Sequence, residues 1–114
     1  MLDGYYAEQL AEARDTYEVR RGQGRAQSDL SDIARSATYG LVDTLFVDID
    51  SFVPGTVDPQ SGAIEYREAA RGTEYDVIDE VTRRSLLQGG RILAVRSDEV
   101  PGGGRAAAIL RYAP

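Results

Sequence analysis

Along the chain, apolar residues recur at helical spacing in three stretches, and between and after these they gather into short runs. From about Asp3 to Arg20, Tyr6, Leu10, Ala13 and Tyr17 are set among Glu, Gln and Arg, which predicts an amphipathic helix with one narrow apolar face. The glycines of RGQG break it. A second helix is expected from about Ser28 to Tyr39, where Leu30, Ile33, Ala34 and Ala37 share a face, with Ser28 as the N-cap and Gly40 as the stop. LVDTLFVDI, from Leu41 to Ile49, is rich in β-branched and apolar residues and reads as a central strand covered on both faces. Pro54-Gly55 and the stretch from Asp58 to Gly62 are turn signals, and the second reads as a hairpin joining Thr56-Val57 to the segment from Ala63 to Tyr66. A third helix is predicted from about Glu74 to Gln88. Thr73 and Asp76 lie at a capping-box-like spacing, and Val77, Ile78, Val81 and Leu86 form a broad apolar face. After Gly89-Gly90 come a short strand, RILAVR, a flexible surface loop, SDEVPGGGR, and a last strand, AAAILRYA.

Helices that alternate with strands imply an α/β protein: a three-layer α/β/α sandwich on a mixed sheet of about four strands, with the hairpin as its antiparallel edge. At 114 residues the chain is the size of one ordinary domain, and residues 1–114 are read as such. No run approaches a membrane span, and the first residues lack the basic head and apolar stretch of a signal peptide, so a cytoplasmic protein is expected.

The residue inventory narrows the chemistry. With neither Cys nor His, the chain has no disulfide, no thiolate nucleophile and no Ser-His or Cys-His pair. All its basic residues are Arg, which removes Schiff-base and phosphate-binding lysines. The pair Asp48 and Asp50, ending an apolar run, resembles the nucleophile and acid of haloacid-dehalogenase-type phosphatases. That reading lacks the downstream Lys, and DEV, from Asp98 to Val100, is a poor match to the further acidic pair. A carboxylate-only Mg²⁺ site from Asp48, Asp50 and Asp58 is the remaining catalytic alternative. Against it, Asp is frequent where a chain leaves a strand for a turn. No cofactor is expected.

A net charge of −6 disfavours a nucleic-acid surface, which must neutralise phosphates. The exception is RRGQGR, whose Arg20, Arg21 and Arg25 form the one candidate RNA or anion contact. GQGR could cradle an anion at the start of the second helix, although an interhelical turn accounts for its glycines. PGGGR lacks the Lys-Ser/Thr ending of a phosphate loop and precedes a strand. The seven tyrosines are dispersed, which suits packing edges and interfaces better than base stacking.

Three stretches together carry a family resemblance. ARSATYGLVDTLFVD (Ala34 to Asp48), YDVIDEVTRRSLLQGGRILAVRSDEV (Tyr75 to Val100) and GGGRAAAILRY (Gly102 to Tyr112) resemble the third, C-terminal domain of archaeal and eukaryotic class-1 peptide chain release factors and of Pelota. The match looks nearest to the bacterial archaeo-eukaryotic release factor (baeRF) family and covers about residues 24 to 112. The resemblance implies a fold related to the kink-turn-binding ribosomal proteins, and a chain that forms the C-terminal part of a longer protein. It also implies a docking role toward a protein partner, a translational GTPase or the ribosome. The Gly-Gly-Gln motif of release factors belongs to their middle domain, and GQG around Gln23 is a different order at a different place. Where the kink-turn binders carry Gly-x-Asn-Glu-x-x-Lys, this chain reads GRAQSDLSD, without the Asn-Glu and the Lys. A non-catalytic protein-interaction domain is therefore the leading expectation, with an RNA-binding module and a Mg²⁺ phosphohydrolase as alternatives.

Overall fold

The computed structural model describes residues 2–67 and 75–113, with side chains from Ala7 onward. Thr73 and Glu74, assigned by the sequence to the third helix and its cap, and the side chain of Tyr6 lie outside the described residues. In chain order the elements are α1 (Leu2–Gly22), β1 (Ala26–Gln27), α2 (Leu30–Thr38), β2 (Val42–Asp48), β3 (Gly55–Val57), β4 (Ile64–Tyr66), α3 (Val77–Leu87), β5 (Arg91–Val95) and β6 (Ala106–Leu110). Between β5 and β6 lie two short 3₁₀ turns, Ser97–Glu99 and Pro101–Gly103.

The main sheet has the order β1-β6-β2-β5. β2 and β5 run parallel, whereas β6 is antiparallel to both β2 and β1. The α/β/α sandwich on a mixed four-stranded sheet is thus as expected. Its antiparallel edge is not. The hairpin of β3 and β4 forms a separate two-stranded sheet, and the edge beside β6 is the two-residue β1. Two residues are too few to show a strand period, so β1 leaves no pattern to read. The hairpin itself has the expected partners, with Thr56 opposite Glu65 and Val57 opposite Ile64.

Alternation along the strands divides the core into two layers. Leu45 and Val47 of β2 and Ala106, Ala108 and Leu110 of β6 pack toward Ile33, Ala34 and Ala37 of α2 and Val77, Ile78 and Val81 of α3. On the other side, Phe46, Leu93, Ala107 and Ile109 meet Leu10, Ala13 and Tyr17 of α1. The register of β2 against β6 shifts between Val42 and Thr44, leaving Asp43 without a partner on β6. This bulge turns Val42 to the same side as Leu45, although their spacing alone would place them on opposite faces.

Cap chemistry moves two predicted boundaries. The N-cap of α2 is Asp29 rather than Ser28: the Asp29 carboxylate accepts the Ser31 N–H at 2.8 Å and the Asp32 N–H at 3.4 Å. Asp76 caps α3 by accepting the Ile78 N–H at 3.0 Å, and the same Oδ1 accepts the Val53 N–H at 2.9 Å, which ties the helix start to the chain entering β3. Gly40 ends α2 as expected, with φ +77°, and a Cβ there would lie 2.7 Å from Gln88 Oε1.

The apolar face of α3 also differs from its prediction. Ser85 is buried in place of Leu86, which is 61% exposed. At about 100° per residue, Leu86 lies half a turn away from Val77. SDEVPGGGR is likewise a compact pair of turns rather than a free surface loop, because Val100 and Pro101 are buried, Val100 within the α1 layer.

Candidate interaction surface

Three helices end at one end of the sheet, each through a glycine turn. α1 leads by Gly22 and Gly24 into β1, α2 by Gly40 into β2, and α3 by Gly89-Gly90 into β5; since β1, β2 and β5 run the same way, their starts collect there beside the end of β6. Helix C-termini present unpaired carbonyls and favour positive charge. The sequence supplies it: Arg20 and Arg21 stand in the last turn of α1, Arg35 in that of α2 and Arg84 in that of α3.

The three arginines singled out from the sequence meet at this end but are engaged differently. Arg25 is half-buried, and its guanidinium donates to the Leu110 carbonyl at 3.3 Å and the Arg111 carbonyl at 2.7 Å, closing the end of β6. Arg20 donates to Gln23 Oε1 at 2.9 Å, and the exposed Arg21 pairs with Glu18 at 3.2 Å. Arg111 continues the chain of contacts, with its Nη2 donating to the Gln88 carbonyl at 2.7 Å and its N–H to the Leu41 carbonyl at 2.8 Å. The turns after α1, α2 and α3 are thereby bound to the end of β6.

Exposed large apolar residues complete the surface, and sequence reading missed them. Tyr39, Leu86, Leu87 and Tyr112 are each more than 60% exposed and lie on these same linked turns. The available signal was helical phase, which sets Leu86 away from the buried side of α3. A second exposed set, Ile49, Phe52, Tyr66 and Tyr75, lies at the opposite end beside the hairpin. Tyr66, Tyr75 and Tyr112 are therefore surface residues rather than packing edges; among the described tyrosine side chains Tyr17 is the buried one. Burial pushes its phenol pKa up, against the lowering effect of its hydrogen bond with Ser28.

Two of the three carboxylates weighed as catalytic, Asp48 and Asp58, are used in turns, and Asp50 is exposed. Asp48, buried at the end of β2, accepts the Asp50 N–H at 2.9 Å and the Ser51 hydroxyl at 3.0 Å. Asp58 accepts the N–H groups of Gln60 at 2.9 Å and Ser61 at 2.7 Å. Among the described residues no group of three or more acidic side chains is placed to hold a metal ion. A cleft of about 560 Å³ separates α1 from the 3₁₀ turns, and its charges are mixed: Arg14, Asp15, Glu18 and Asp98. No helix among the described residues is long and apolar enough to cross a membrane.

Among the described residues two carboxyls are held below their ordinary range. Asp58 is lowered by the hydrogen bonds from Ser61 and Gln60, and Glu80 by the hydrogen bond from Arg83, opposed by burial and assisted by Arg84. A carboxyl with a depressed folded pKa stabilises the fold above its unfolded value and loses that contribution as pH falls through the folded value. The urea midpoint should therefore hold steady from pH 7 down to the ordinary values of 4.5 for Glu80 and 3.8 for Asp58, then fall. Glu80→Gln should flatten part of that fall, and a midpoint indifferent to pH between 5 and 2.5 would contradict the assignment.

No protein-family model and no curated protein matches the sequence. Among solved structures, a chain of ribosome-bound archaeal Pelota with ABCE1 superimposes with a TM-score of 0.64 at 20% sequence identity. The fold is Pelota-like. The superposition covers 96% of this chain and 27% of that one, so the Pelota-like unit is about a quarter of the larger chain's length.

Proposed function

We propose that the chain is a non-catalytic protein-interaction domain of a ribosome-associated, release-factor-like translation protein. The observation that carries this reading is the Pelota-like fold, which in the matching structure belongs to a ribosome-bound assembly with a second protein, ABCE1. The sequence resemblance to the baeRF branch points the same way and would make residues 1–114 the C-terminal domain of a longer cytoplasmic protein. Its partner would be the ribosome or a translational GTPase. Chemistry favours docking over catalysis: the chain has no His, Cys or Lys, and Asp48 and Asp58 are occupied in turns.

The test is capture of partners from bacterial lysate on the immobilised chain, with and without RNase. Retention of ribosomal proteins or a translational GTPase after RNase is the expected result. Retention that disappears with RNase would transfer the function to RNA binding through Arg20, Arg21 and Arg25. Mg²⁺-dependent phosphate-ester turnover abolished by Asp48→Asn would replace docking with catalysis, and absence of any translation component would remove the translation reading.

A further inference from the structure

We infer that the end of the sheet where the three helices finish is the docking surface, and that it takes an acidic protein segment carrying apolar anchors; this rests on the protein-docking reading above. Tyr39 follows α2, Leu86 and Leu87 end α3, and Tyr112 follows β6, and none of them belongs to either core layer. Leu87 is 71% exposed and Tyr112 is 65% exposed. The hydrogen bonds of Arg111 to Leu41 and Gln88 tie together the turns that carry these residues. Exposed aliphatic and aromatic side chains carried on linked turns are what apolar anchors of a partner pack against.

Charge identifies the occupant. The chain carries −6 overall, yet Arg20, Arg21 and Arg35 stand in the last turns of α1 and α2 at this end, and Arg25 and Arg111 close the end of β6. Its acidic side chains include Glu18, paired with Arg21, Asp32, paired with Arg35 at 3.9 Å, and the exposed Asp43 and Asp58, fewer than the arginines that the helix and strand ends bring here. Positive charge concentrated on an otherwise acidic protein steers an acidic partner to this end and repels it elsewhere. RNA would answer the arginines too, but the paired leucines offer nothing for base hydrogen bonding and suit Leu or Phe anchors instead.

The experiment titrates the ¹⁵N-labelled chain with three probes. These are a peptide of about 15 residues alternating Asp or Glu with Leu or Phe, its counterpart with Lys for the acids, and a uridine-rich RNA of similar length. The acidic peptide should shift the amides of Tyr39, Leu86, Leu87 and Tyr112. Binding should weaken about tenfold or more in the double variant Leu86→Ser with Leu87→Ser, and fall as salt rises. Circular dichroism of the variant should match the parent, since neither leucine is in the core. Shifts confined to other surfaces, equal binding of the Lys peptide, or RNA taking this end in place of the acidic peptide would each overturn the inference. Ribosome capture that survives the double variant, without peptide shifts at this end, would overturn this surface while leaving the translation reading intact. Peptide shifts here without ribosome capture would uphold the surface and remove only the translation context.

Discussion

Phe46→Ala should lower the stability of the chain by about 3–5 kcal/mol, the largest loss expected from any single substitution considered. Phe46 has no exposed surface, sits in the central strand between Ala107 of β6 and Leu93 of β5, and meets Tyr17 edge-on with ring centroids 6.2 Å apart. Truncation removes the ring and leaves a cavity with hydrogen-bonded strands on two sides and α1 above. Strands held in register on both edges cannot move in to fill it, so little of the cost is recovered. Domains of this size are stable by about 5–15 kcal/mol, and the loss takes a large share of that. With an m-value of ~2 kcal/mol/M in urea, the midpoint should fall by about 2 M, read by circular dichroism. Phe46→Leu should cost clearly less because it keeps most of the volume. A loss below about 1 kcal/mol for the alanine variant would mean that α1 does not pack on this face as described.

Arg84→Ala is the second large effect, expected at about 2–4 kcal/mol. The Arg84 side chain is 12% exposed and donates to four acceptors: Glu80 Oε2 at 2.6 Å, Thr38 Oγ1 at 2.7 Å, the Asp58 carbonyl at 2.9 Å and the Val57 carbonyl at 2.9 Å. One guanidinium thus joins α3 to α2 and to the hairpin. Its loss leaves the Val57 and Asp58 carbonyls without this donor and removes a principal polar tie between the hairpin and the helices. Amide exchange at the hairpin N–H groups should therefore accelerate more than exchange in β2 or β6. Arg84→Lys should restore only part of the stability, because a single ammonium on a flexible stem cannot span acceptors on three elements as the planar fork does. Lysine behaving as well as arginine would reduce the role of Arg84 to charge alone.

Of these two stabilising residues only Phe46 stands apart from the docking end; Arg84 shares the last turn of α3 with Leu86 and Leu87 and donates to Thr38, the residue before Tyr39. Phe46 lies in the α1 layer and Arg84 reaches back toward the hairpin, whereas Leu86 and Leu87 project from the end of α3. Changes at the leucines should accordingly move binding with little effect on the urea midpoint.

What the sequence determined by itself is local. Helical periodicity gave α1, α2 and α3. Apolar runs gave β2, β5 and β6, and turn residues placed the hairpin, because each of these signals depends on residues a few positions apart. Absence of His, Cys and Lys limited the chemistry for the same reason: composition does not depend on folding. The tertiary structure alone decided what depends on distant neighbours. It made the two residues of β1 a strand because β6 offered them an edge, and it set the hairpin apart as its own sheet. It bulged β2 at Asp43 so that Val42 joined the α2 and α3 layer. It gathered Tyr39, Leu86, Leu87 and Tyr112, far apart in the chain, on one surface beside the arginines, since which side chains are left uncovered is known only once every other element has taken its place.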